Sequence, residues 1–256
     1  MRLSTISTTL FAALLLVLVL PAQAQFDTEW ERTSRDGAAE PTPSWFGTST
    51  ERNVAYGVVG GQERLYVASR SGDVNRIRVI DPDTGADLDD VVISTDGISG
   101  GAVAFNTIDV SDDGQIIVSN LVSPSGLFKV YAWEDESAEP REITSSELDV
   151  RAGDNIHISG SIADGTAAVY AAASNVNRVF RWLMVEDPEN AGQYVFQADP
   201  QDFTLASITA WGSPGYAVGK DAGEAAFLAG GRSVTFMREY DNEATTTGYV
   251  EFAEGN

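Results

Sequence analysis

The chain has 256 residues and a formal net charge of −22 at pH 7, with 38 acidic against 16 basic residues. A charge of this size repels nucleic acid and anionic lipid, so neither is an expected partner. The sequence contains no cysteine, which excludes disulfide bridges, and its length is sufficient to bury one hydrophobic core. Aspartate is abundant and lysine is scarce, a balance that fits either adaptation to high salt or an ordinary acidic exported protein.

Residues 1–24 predict a secretory signal peptide. A positive start at Arg2 precedes an apolar run over 10–20, and small residues at 22–24 form a cleavage signal before Gln25. The apolar run is too short for a comfortable membrane span, although a retained anchor is the alternative. We therefore expect cleavage near Ala24 and a secreted or periplasmic mature protein that is not bound to a membrane.

Residues 25–44 predict a flexible leader. The segment is polar and contains Pro41 and Pro43. It is followed by Trp45 and Phe46, an aromatic pair that we expect to anchor it. The remaining residues, 45–256, predict one repetitive β-domain.

A unit of four short strands recurs along this domain. Its central pair is an apolar run such as 64–69, followed by a strand that alternates basic with β-branched residues, 75–81. Aligning Leu65 with Ile116, Val169 and Ala226 gives steps of 51, 53 and 57 residues. The predicted strands are 53–59, 64–69, 75–81 and 90–93 in the first unit; 106–111, 115–120, 127–133 and 141–143 in the second; 155–158, 169–172, 178–182 and 194–196 in the third; and 208–211, 225–229, 234–237 and 249–252 in the fourth.

Four short strands per unit, at a period of roughly 40–50 residues, are typical of propeller blades. The sequence therefore predicts an all-β protein, a β-propeller of about four four-stranded antiparallel blades. Their approximate bounds are 52–94, 105–143, 154–197 and 206–253. No segment after the signal peptide has a long apolar period of 3.6 residues, so few helices are expected. A β-sandwich is the alternative, but it does not explain the repeated unit.

The blade motifs carry a family resemblance. The sequence Leu-Tyr-Val-Ala-Ser at 65–69, followed by Asn-Arg-Ile-Arg-Val at 75–79, resembles the blades of NHL-type propellers. Residues 64–88 and 128–140 resemble a family of secreted bacterial β-propeller proteins of unknown function. The resemblance implies the propeller fold and supplies no mechanism. Because members of such families are often longer, either four blades close into a ring or the chain is an arc of a larger propeller.

The sequence offers little for nucleophilic or metal-dependent catalysis. The one histidine, His157, has β-branched neighbours, which favours a structural histidine with a satisfied ring on a strand. With a single histidine and no cysteine, a zinc site is not expected. No Gly-x-Ser-x-Gly elbow and no phosphate-binding loop occurs in the sequence.

Two acidic segments could bind Ca²⁺ but favour turns. Residues 81–87 place oxygen ligands at alternate positions without the distal glutamate of an EF-hand, and 112–114 fits a hairpin turn. No cofactor is therefore expected, and Ca²⁺ is the one candidate that stays open. Most strand aromatics should pack between sheets, with a minority that could stack on sugars. They are Tyr66, Tyr131, Trp133, Tyr170, Trp182 and Trp211.

Candidate ligand-binding residues follow from the propeller geometry. Loops from the second to the third strand of each blade, and loops between blades, gather on one face. The residues that this places together are Arg70, Asn120, Asn175, Asn177, Arg232, Asp96 and Asp154. This set can hydrogen-bond polyols or hold an anion and lacks a convincing nucleophile, while ordinary polar loop residues are the simpler alternative.

The leading functional hypothesis is an exported, non-enzymatic propeller that acts as a binding or scaffold module. Its partner would be an unknown extracellular ligand, either a protein or a glycan. The alternative is a Ca²⁺-dependent hydrolase or lactonase on the same blades, which requires a cage of Asp and Asn oxygens.

We predict that thermal stability rises with salt concentration. Salt screens the repulsion among the carboxylates, because the Debye length falls from about 10 Å at 0.1 M to about 3 Å at 1 M. The midpoint of thermal unfolding, followed by circular dichroism from low to molar NaCl, should therefore increase. A midpoint that stays flat over this range would contradict the prediction and leave an ordinary acidic surface.

Overall fold

The computed structural model describes residues 30, 32, 41–47, 50–70, 74–174, 176 and 178–204, and the backbone of three further strands at 218–219, 233–240 and 244–251. The predicted signal peptide lies outside these residues. All regular elements in the described part of the chain are β-strands. No helix in that part is long and apolar enough to cross a membrane.

The strands pair antiparallel into four sheets. They are β1 (Glu51–Val59), β2 (Gln62–Ser69), β3 (Arg76–Ile80), β4 (Val103–Val110), β5 (Ile116–Leu121), β6 (Gly126–Trp133), β7 (Arg141–Leu148), β8 (Ala152–Ser159), β9 (Ala168–Ala173), β10 (Arg178–Glu186), β11 (Tyr194–Phe196), β12 (Gln201–Thr204), β13 (Val218–Gly219), β14 (Ser233–Tyr240) and β15 (Ala244–Glu251). Sheet 1 has the order β1-β2-β3, sheet 2 β4-β5-β6-β7, sheet 3 β8-β9-β10-β11 with β12 also on β10, and sheet 4 β13-β14-β15. The predicted all-β class and antiparallel pairing are confirmed.

Both faces of sheet 2 are buried. Every residue of β5 is buried, and successive side chains point to opposite faces. Ile116 and Val118 pack in the core shared with sheet 1, whereas Ile117 packs in the core shared with sheet 3. Apolar side chains on both faces at the start of β5 are therefore what this position in the stack requires.

The large aromatic side chains of the strands pack between sheets. Trp133 lies in the core between sheets 1 and 2, and Trp182 in the core between sheets 2 and 3. The ring of Trp182 stacks on Phe128 with centroids 5.0 Å apart. Both indole N–H groups find acceptors, since Trp133 Nε1 donates to the Ser94 carbonyl at 2.7 Å and Trp182 Nε1 to Ser146 Oγ at 2.8 Å.

The first strands of the sheets, β1, β4, β8 and β13, form a succession, and we call them the inner strands. Strand β4 lies against β1 and β2, β8 against β4 and β5, and β13 against β8 and β9. Among the described strands, sheet 4 makes no comparable contact with sheet 1. A closed four-bladed propeller is therefore not confirmed.

The predicted fourth strand of the first unit, 90–93, is wrong. Residues 88–100 contain no strand, and Val92 is 81% exposed. The N–H of Leu88 still reaches the Val79 carbonyl at 2.8 Å, but the N–H of Val91 turns back to the Leu88 carbonyl at 3.0 Å. The segment therefore leaves the edge of β3, and a cavity of about 450 Å³ opens between them.

The other predicted strands of the first three units are observed in sheets 1, 2 and 3, with boundaries shifted by a few residues. In the fourth unit, 234–237 lies within β14 and 249–251 lies within β15. The predicted strands 208–211 and 225–229, and residue 252, fall outside the described residues.

Part of the expected leader is fixed to sheet 1. Trp30 Nε1 donates to the Pro82 carbonyl at 2.7 Å. Arg32 forms an ion pair with Asp87 at 2.9 Å, and Trp45 Nε1 donates to the same carboxylate at 3.2 Å. These contacts hold the leader at the turn that follows β3.

The turn at 112–114 closes the β4–β5 hairpin and also binds the backbone that follows β8. Asp112 Oδ2 accepts a hydrogen bond from the Gly160 N–H at 3.0 Å. The Asp113 carboxylate accepts from the N–H groups of Ile162 at 3.2 Å and Ala163 at 2.9 Å. The predicted turn is thus confirmed, and it also ties sheet 2 to sheet 3.

We predict that Val118→Asp prevents folding. Val118 is fully buried between sheets 1 and 2, so the new carboxylate would have no partner. Burying an unpaired charge costs several kcal/mol, which is comparable to a total stability of about 5–15 kcal/mol. Far-UV circular dichroism and urea unfolding measure the outcome. The control Val92→Asp places the same charge at an exposed position and should fold, and a Val118→Asp protein that unfolds like the wild type would contradict the prediction.

Candidate functional site

One end of the stacked sheets has the same construction in sheets 1, 2 and 3. There the start of each inner strand pairs with the end of the second strand. The pairs are Glu51–Ser69, Val103–Leu121 and Ala152–Ala173. A register shift follows directly in each inner strand. Because β-bulges re-aim side chains at sheet edges and near binding sites, we call this region the bulged end.

The backbone closes the bulged end in the same way in sheets 1 and 3. The N–H of Arg70 donates to the Thr50 carbonyl at 3.1 Å, and the N–H of Ser174 donates to the Arg151 carbonyl at 2.8 Å. Gly153 adopts φ of +93° within the bulge, and a Cβ there would lie 2.1 Å from the Asn120 carbonyl oxygen. This close approach requires glycine and brings sheets 2 and 3 together at the bulged end.

Three equivalent polar positions line up across the inner strands. Asn53, Thr107 and Asn155 directly precede the residues that pair with the second strands. These pairs are Val54–Val67, Ile108–Val118 and Ile156–Ala171. Asn53 Nδ2 lies 2.7 Å from Thr107 Oγ1 and 3.4 Å from Asn155 Oδ1. The inner strands of sheets 1, 2 and 3 therefore converge at this level.

A second polar link lies farther along the inner strands. His157 Nδ1 lies 2.8 Å from Asp109 Oδ2, and the same oxygen accepts from the Ile158 N–H at 2.9 Å. The imidazole also stacks on Tyr170, with centroids 6.5 Å apart. The histidine lies on a strand, as the sequence predicted, and it links sheet 3 to sheet 2.

Asp154 forms the best-connected charged group at the bulged end. Arg151 binds it through two nitrogens, at 2.8 and 2.5 Å, and Ser174 Oγ also donates to it. Burial raises the pKa of the Asp154 carboxyl, but the hydrogen bonds from Arg151 and Ser174, together with the charges of Arg151 and Arg52, lower it more. The carboxylate is therefore held in its ionised form.

Arg52 connects sheet 1 to this group. Burial, and next the charge of Arg52, lower the pKa of Arg70, while Glu51 acts in the opposite direction. Arg52 is exposed and directly precedes Asn53, whose Nδ2 lies 3.4 Å from Oδ1 of Asn155, the residue that follows Asp154. Two arginines of sheet 1 and an Arg–Asp pair of sheet 3 thus share the bulged end.

The predicted site residues divide into three groups. Arg70 and Asp154 both lie at the bulged end. Asn120 lies there too, but its amide is buried and binds the backbone of Leu127 at 2.9 Å and Lys129 at 3.0 Å. Asp96 is exposed in the loop beside β3. The remaining candidates, Asn175, Asn177 and Arg232, lie outside the described residues.

Sequence reasoning missed Arg52, Arg151 and Ser174. A signal was present, because Arg52 and Asp154 each stand directly before an asparagine at the start of an inner strand. The bulges decide which way these side chains point, and the bulges were not predicted.

The acidic segment 81–87 forms a turn that is closed by the side chain of Asp81. Asp81 Oδ1 accepts hydrogen bonds from the Asp83 N–H at 3.0 Å and the Thr84 N–H at 2.8 Å. Asp87 is engaged by the leader. Within the described part of the chain, no group of three or more histidine and acidic residues is arranged to hold a metal ion.

We predict that the free energy of unfolding of Asp154→Asn falls less steeply than that of the wild type as the pH is lowered. A carboxyl whose pKa is lowered on folding stabilises the native state above its pKa in the unfolded chain, which is near the ordinary value of 3.8. This stabilisation is lost as the pH falls through the lower pKa of the folded state. The free energy of urea unfolding, measured between neutral and acid pH, should therefore depend less on pH in the variant. Asp96→Asn, at an exposed loop position, is the control and should keep the wild-type slope. Equal slopes in Asp154→Asn and wild type would contradict the prediction.

Comparison with known proteins concerns the fold. A scan against protein-family models and a search of curated proteins gave no match. Among solved structures, the chain is similar to a DUF4623 family protein from Bacteroides eggerthii, with a TM-score of 0.52 and 16% sequence identity. The match covers 83% of this chain and 47% of that one, so the chain spans about half the length of the structure it matches. A neighbour from a domain family of unknown function agrees with that part of the expected resemblance, whereas the NHL-type repeat is not confirmed.

Proposed function

We propose that this chain is an exported binding module built as an arc of β-propeller blades, with its ligand site at the bulged end. The arc is supported by the order of the inner strands, each of which lies against the preceding sheet. It is also supported by the meeting of Asn53, Thr107 and Asn155, which occupy equivalent positions in three sheets. In a propeller, such positions face a common axis.

One observation carries the site. Arg52 and Asp154 directly precede Asn53 and Asn155, and Asn53 Nδ2 of sheet 1 lies 3.4 Å from Asn155 Oδ1 of sheet 3. Side chains far apart in sequence therefore converge where the inner strands begin. A site assembled from several repeats on one end of a rigid stack is the usual location of a propeller's ligand.

The charges at this end favour an anionic ligand. Arg52, Arg70 and Arg151 lie close to where the inner strands of sheets 1 and 3 begin, beside Glu51 and Asp154, although the whole chain has a net charge of −22. Guanidinium groups present several donors in a plane and bind carboxylate or phosphate groups well. The ligand we propose is therefore an extracellular molecule with an anionic group, carried by a glycan or by a protein.

Export is part of the proposal and rests on the sequence of residues 1–24. Cleavage near Ala24 would release the described sheets outside the cytoplasm, in the periplasm or the medium. Neither nucleic acid nor a membrane is an expected partner of the mature chain, because its acidic charge repels both.

The test is a binding screen with charge variants. The purified mature chain is applied to an array of neutral and acidic glycans, and hits are measured by calorimetry. Arg70→Ala and Arg52→Gln should weaken binding by about tenfold or more, roughly 1.4 kcal/mol. The control Arg141→Gln removes one positive charge at the opposite end of sheet 2 and should bind as the wild type.

A parallel Ca²⁺ titration separates binding from catalysis. Tight Ca²⁺ binding, lost in Asp154→Ala and accompanied by ester or lactone hydrolysis, would overturn the binding module in favour of the hydrolase. Ligand binding that is equal in Arg70→Ala and Arg141→Gln would show that the bulged end is not the site.

A further inference from the structure

The outer edge of sheet 1 differs from the outer edges of sheets 2 and 3. In sheet 2, β7 pairs along β6, and in sheet 3, both β11 and β12 pair with β10. Within the described residues, backbone pairing on the outer edge of β3 is limited to its last two residues. These contacts are the bridge between Ile80 and Asp87 and the hydrogen bond from the Leu88 N–H to the Val79 carbonyl at 2.8 Å. The rest of this edge has no strand beside it.

The unpaired stretch of β3 has backbone groups that point outward. In an antiparallel pair, the backbone groups of successive residues point alternately toward and away from the partner strand. Because the Val79 carbonyl bonds to Leu88, the N–H and C=O of Ile77, two residues earlier, also point away from β2. Neither group bonds to another residue in the described part of the chain. Unpaired edge groups of this kind are a template for a further strand.

A cavity of about 450 Å³ lies beside these groups. Its far wall is the segment 88–96, which is fixed to sheet 2 because the Ser94 carbonyl accepts a hydrogen bond from Trp133 Nε1 at 2.7 Å. At one end of the cavity, Thr95 Oγ1 donates to the Asn75 carbonyl at 3.0 Å. The described leader residues do not line it. The open stretch of β3 is about 13 Å long, since a strand rises about 3.3 Å per residue, and it can pair with a strand of about five residues.

The equivalent positions of sheets 2 and 3 indicate which charge the missing strand should carry. By register, Arg76 of β3 corresponds to Lys129 of β6 and to Arg178 of β10. Lys129 forms an ion pair with Glu142 of β7 at 2.7 Å, and Arg178 Nε lies 3.0 Å from a carboxylate oxygen of Asp202 in β12. In both sheets, a carboxylate on the adjacent outer strand therefore matches the base on the third strand.

Arg76 has no such partner in the described part of the chain. It is exposed and borders the cavity. On the opposite face of β3, Ile77 and Val79 are buried in the core shared with sheet 2. Because strand side chains alternate, a strand in the cavity would place a carboxylate beside Arg76 and apolar side chains toward the core. Asp89 and Asp96 border the cavity from the far wall, so one carboxylate fits better than a uniformly acidic segment.

We propose that the outer edge of β3 binds an extended segment of a partner protein, in which an acidic residue stands between apolar residues. The segment pairs with β3 as a further strand of sheet 1. Its main chain bonds to the N–H and C=O of Ile77, and its carboxylate pairs with Arg76. Main-chain hydrogen bonds of this kind give affinity, and the alternating side chains give specificity. The inference is independent of the ligand at the bulged end, because it rests on β3 and not on the inner strands.

The first experiment uses two synthetic pentapeptides with blocked ends as probes. Thr-Val-Glu-Val-Thr has the required alternation, and Thr-Val-Lys-Val-Thr has the same pattern with the opposite charge. Calorimetry with the mature chain should show at least tenfold tighter binding of the glutamate peptide, although a chain of net charge −22 attracts the lysine peptide more strongly overall. Equal binding, or tighter binding of the lysine peptide, would overturn the proposal.

Charge variants locate the bound peptide. Arg76→Ala should weaken binding of the glutamate peptide at least tenfold and keep the wild-type circular dichroism, because the side chain is exposed. The control Arg141→Gln removes an exposed arginine from β7, the outer strand of sheet 2, and should bind as the wild type. An Arg76→Ala chain that binds like the wild type would overturn the proposal. A loss of binding in Arg52→Gln in its place would assign the peptide to the bulged end.

The second experiment tests for strand pairing. Alternate residues of a strand bond on opposite edges, so N-methylation of the two valines, or of the glutamate and the threonines, blocks one edge of the peptide at a time. One methylated peptide should bind at least tenfold more weakly than the other, and equal affinities would contradict strand pairing.

Amide exchange followed by NMR identifies the edge that is used. In the free chain, the N–H of Ile77 should exchange faster than that of Arg78, which faces β2. The glutamate peptide should slow exchange at Ile77 at least tenfold. Slow exchange at Ile77 in the free chain would mean that another segment of the same chain already pairs with β3, and this result would also overturn the proposal.

Discussion

The structure depends on one constraint, which is that a sheet with apolar side chains on both faces must be covered on both. Ile116 and Val118 need sheet 1, while Ile117 and Val130 need sheet 3. Sheet 2 therefore has no stable fold without its neighbours. Stability in such a stack is a property of adjacent pairs of sheets, as in other repeat proteins. On the outer face of sheet 1 this requirement is met only in part, because Val54, Tyr56 and Val58 are at least half exposed.

Apolar packing alone would allow the sheets to slide, and the polar contacts between inner strands fix their registration. Asp113, in the β4–β5 turn, accepts hydrogen bonds from two backbone N–H groups of the β8–β9 loop, from Ser111 Oγ at 2.6 Å and from Gln115 Nε2 at 3.1 Å. Burial raises the pKa of this carboxyl, yet the hydrogen bonds lower it more, so the charge is well compensated where it lies. Some of the acidic residues therefore stabilise the fold through hydrogen bonds and do not merely keep the surface hydrated.

Sequence analysis predicted the strands whose apolar pattern follows from packing. It was wrong where local hydrogen bonds determine whether a segment forms a strand. Strands buried on both faces leave apolar runs, so β4 to β11 were predicted, whereas β12 (Gln201–Thr204), which pairs with β10 in sheet 3, was missed. The segment 90–93 has a strand-like composition, but the N–H of Val91 bonds within its own loop. At the site, strand order alone placed Arg70 and Asp154 at the same end. It could not place Arg52 or Arg151, because a bulge changes the direction of the side chains that follow it.

The bulged end brings several charged side chains of sheets 1 and 3 together. Arg151 pairs with Asp154, while burial and next the charge of Arg52 lower the pKa of Arg70, and Glu51 raises it. Two like charges held together by separate strands of one sheet cannot move apart without disturbing the β1–β2 pairing that positions them. An anion placed between the two guanidinium groups would turn this repulsion into attraction. In the proposed function, the rigidity that the stacked sheets require would also hold these arginines in place for the negative group of a ligand.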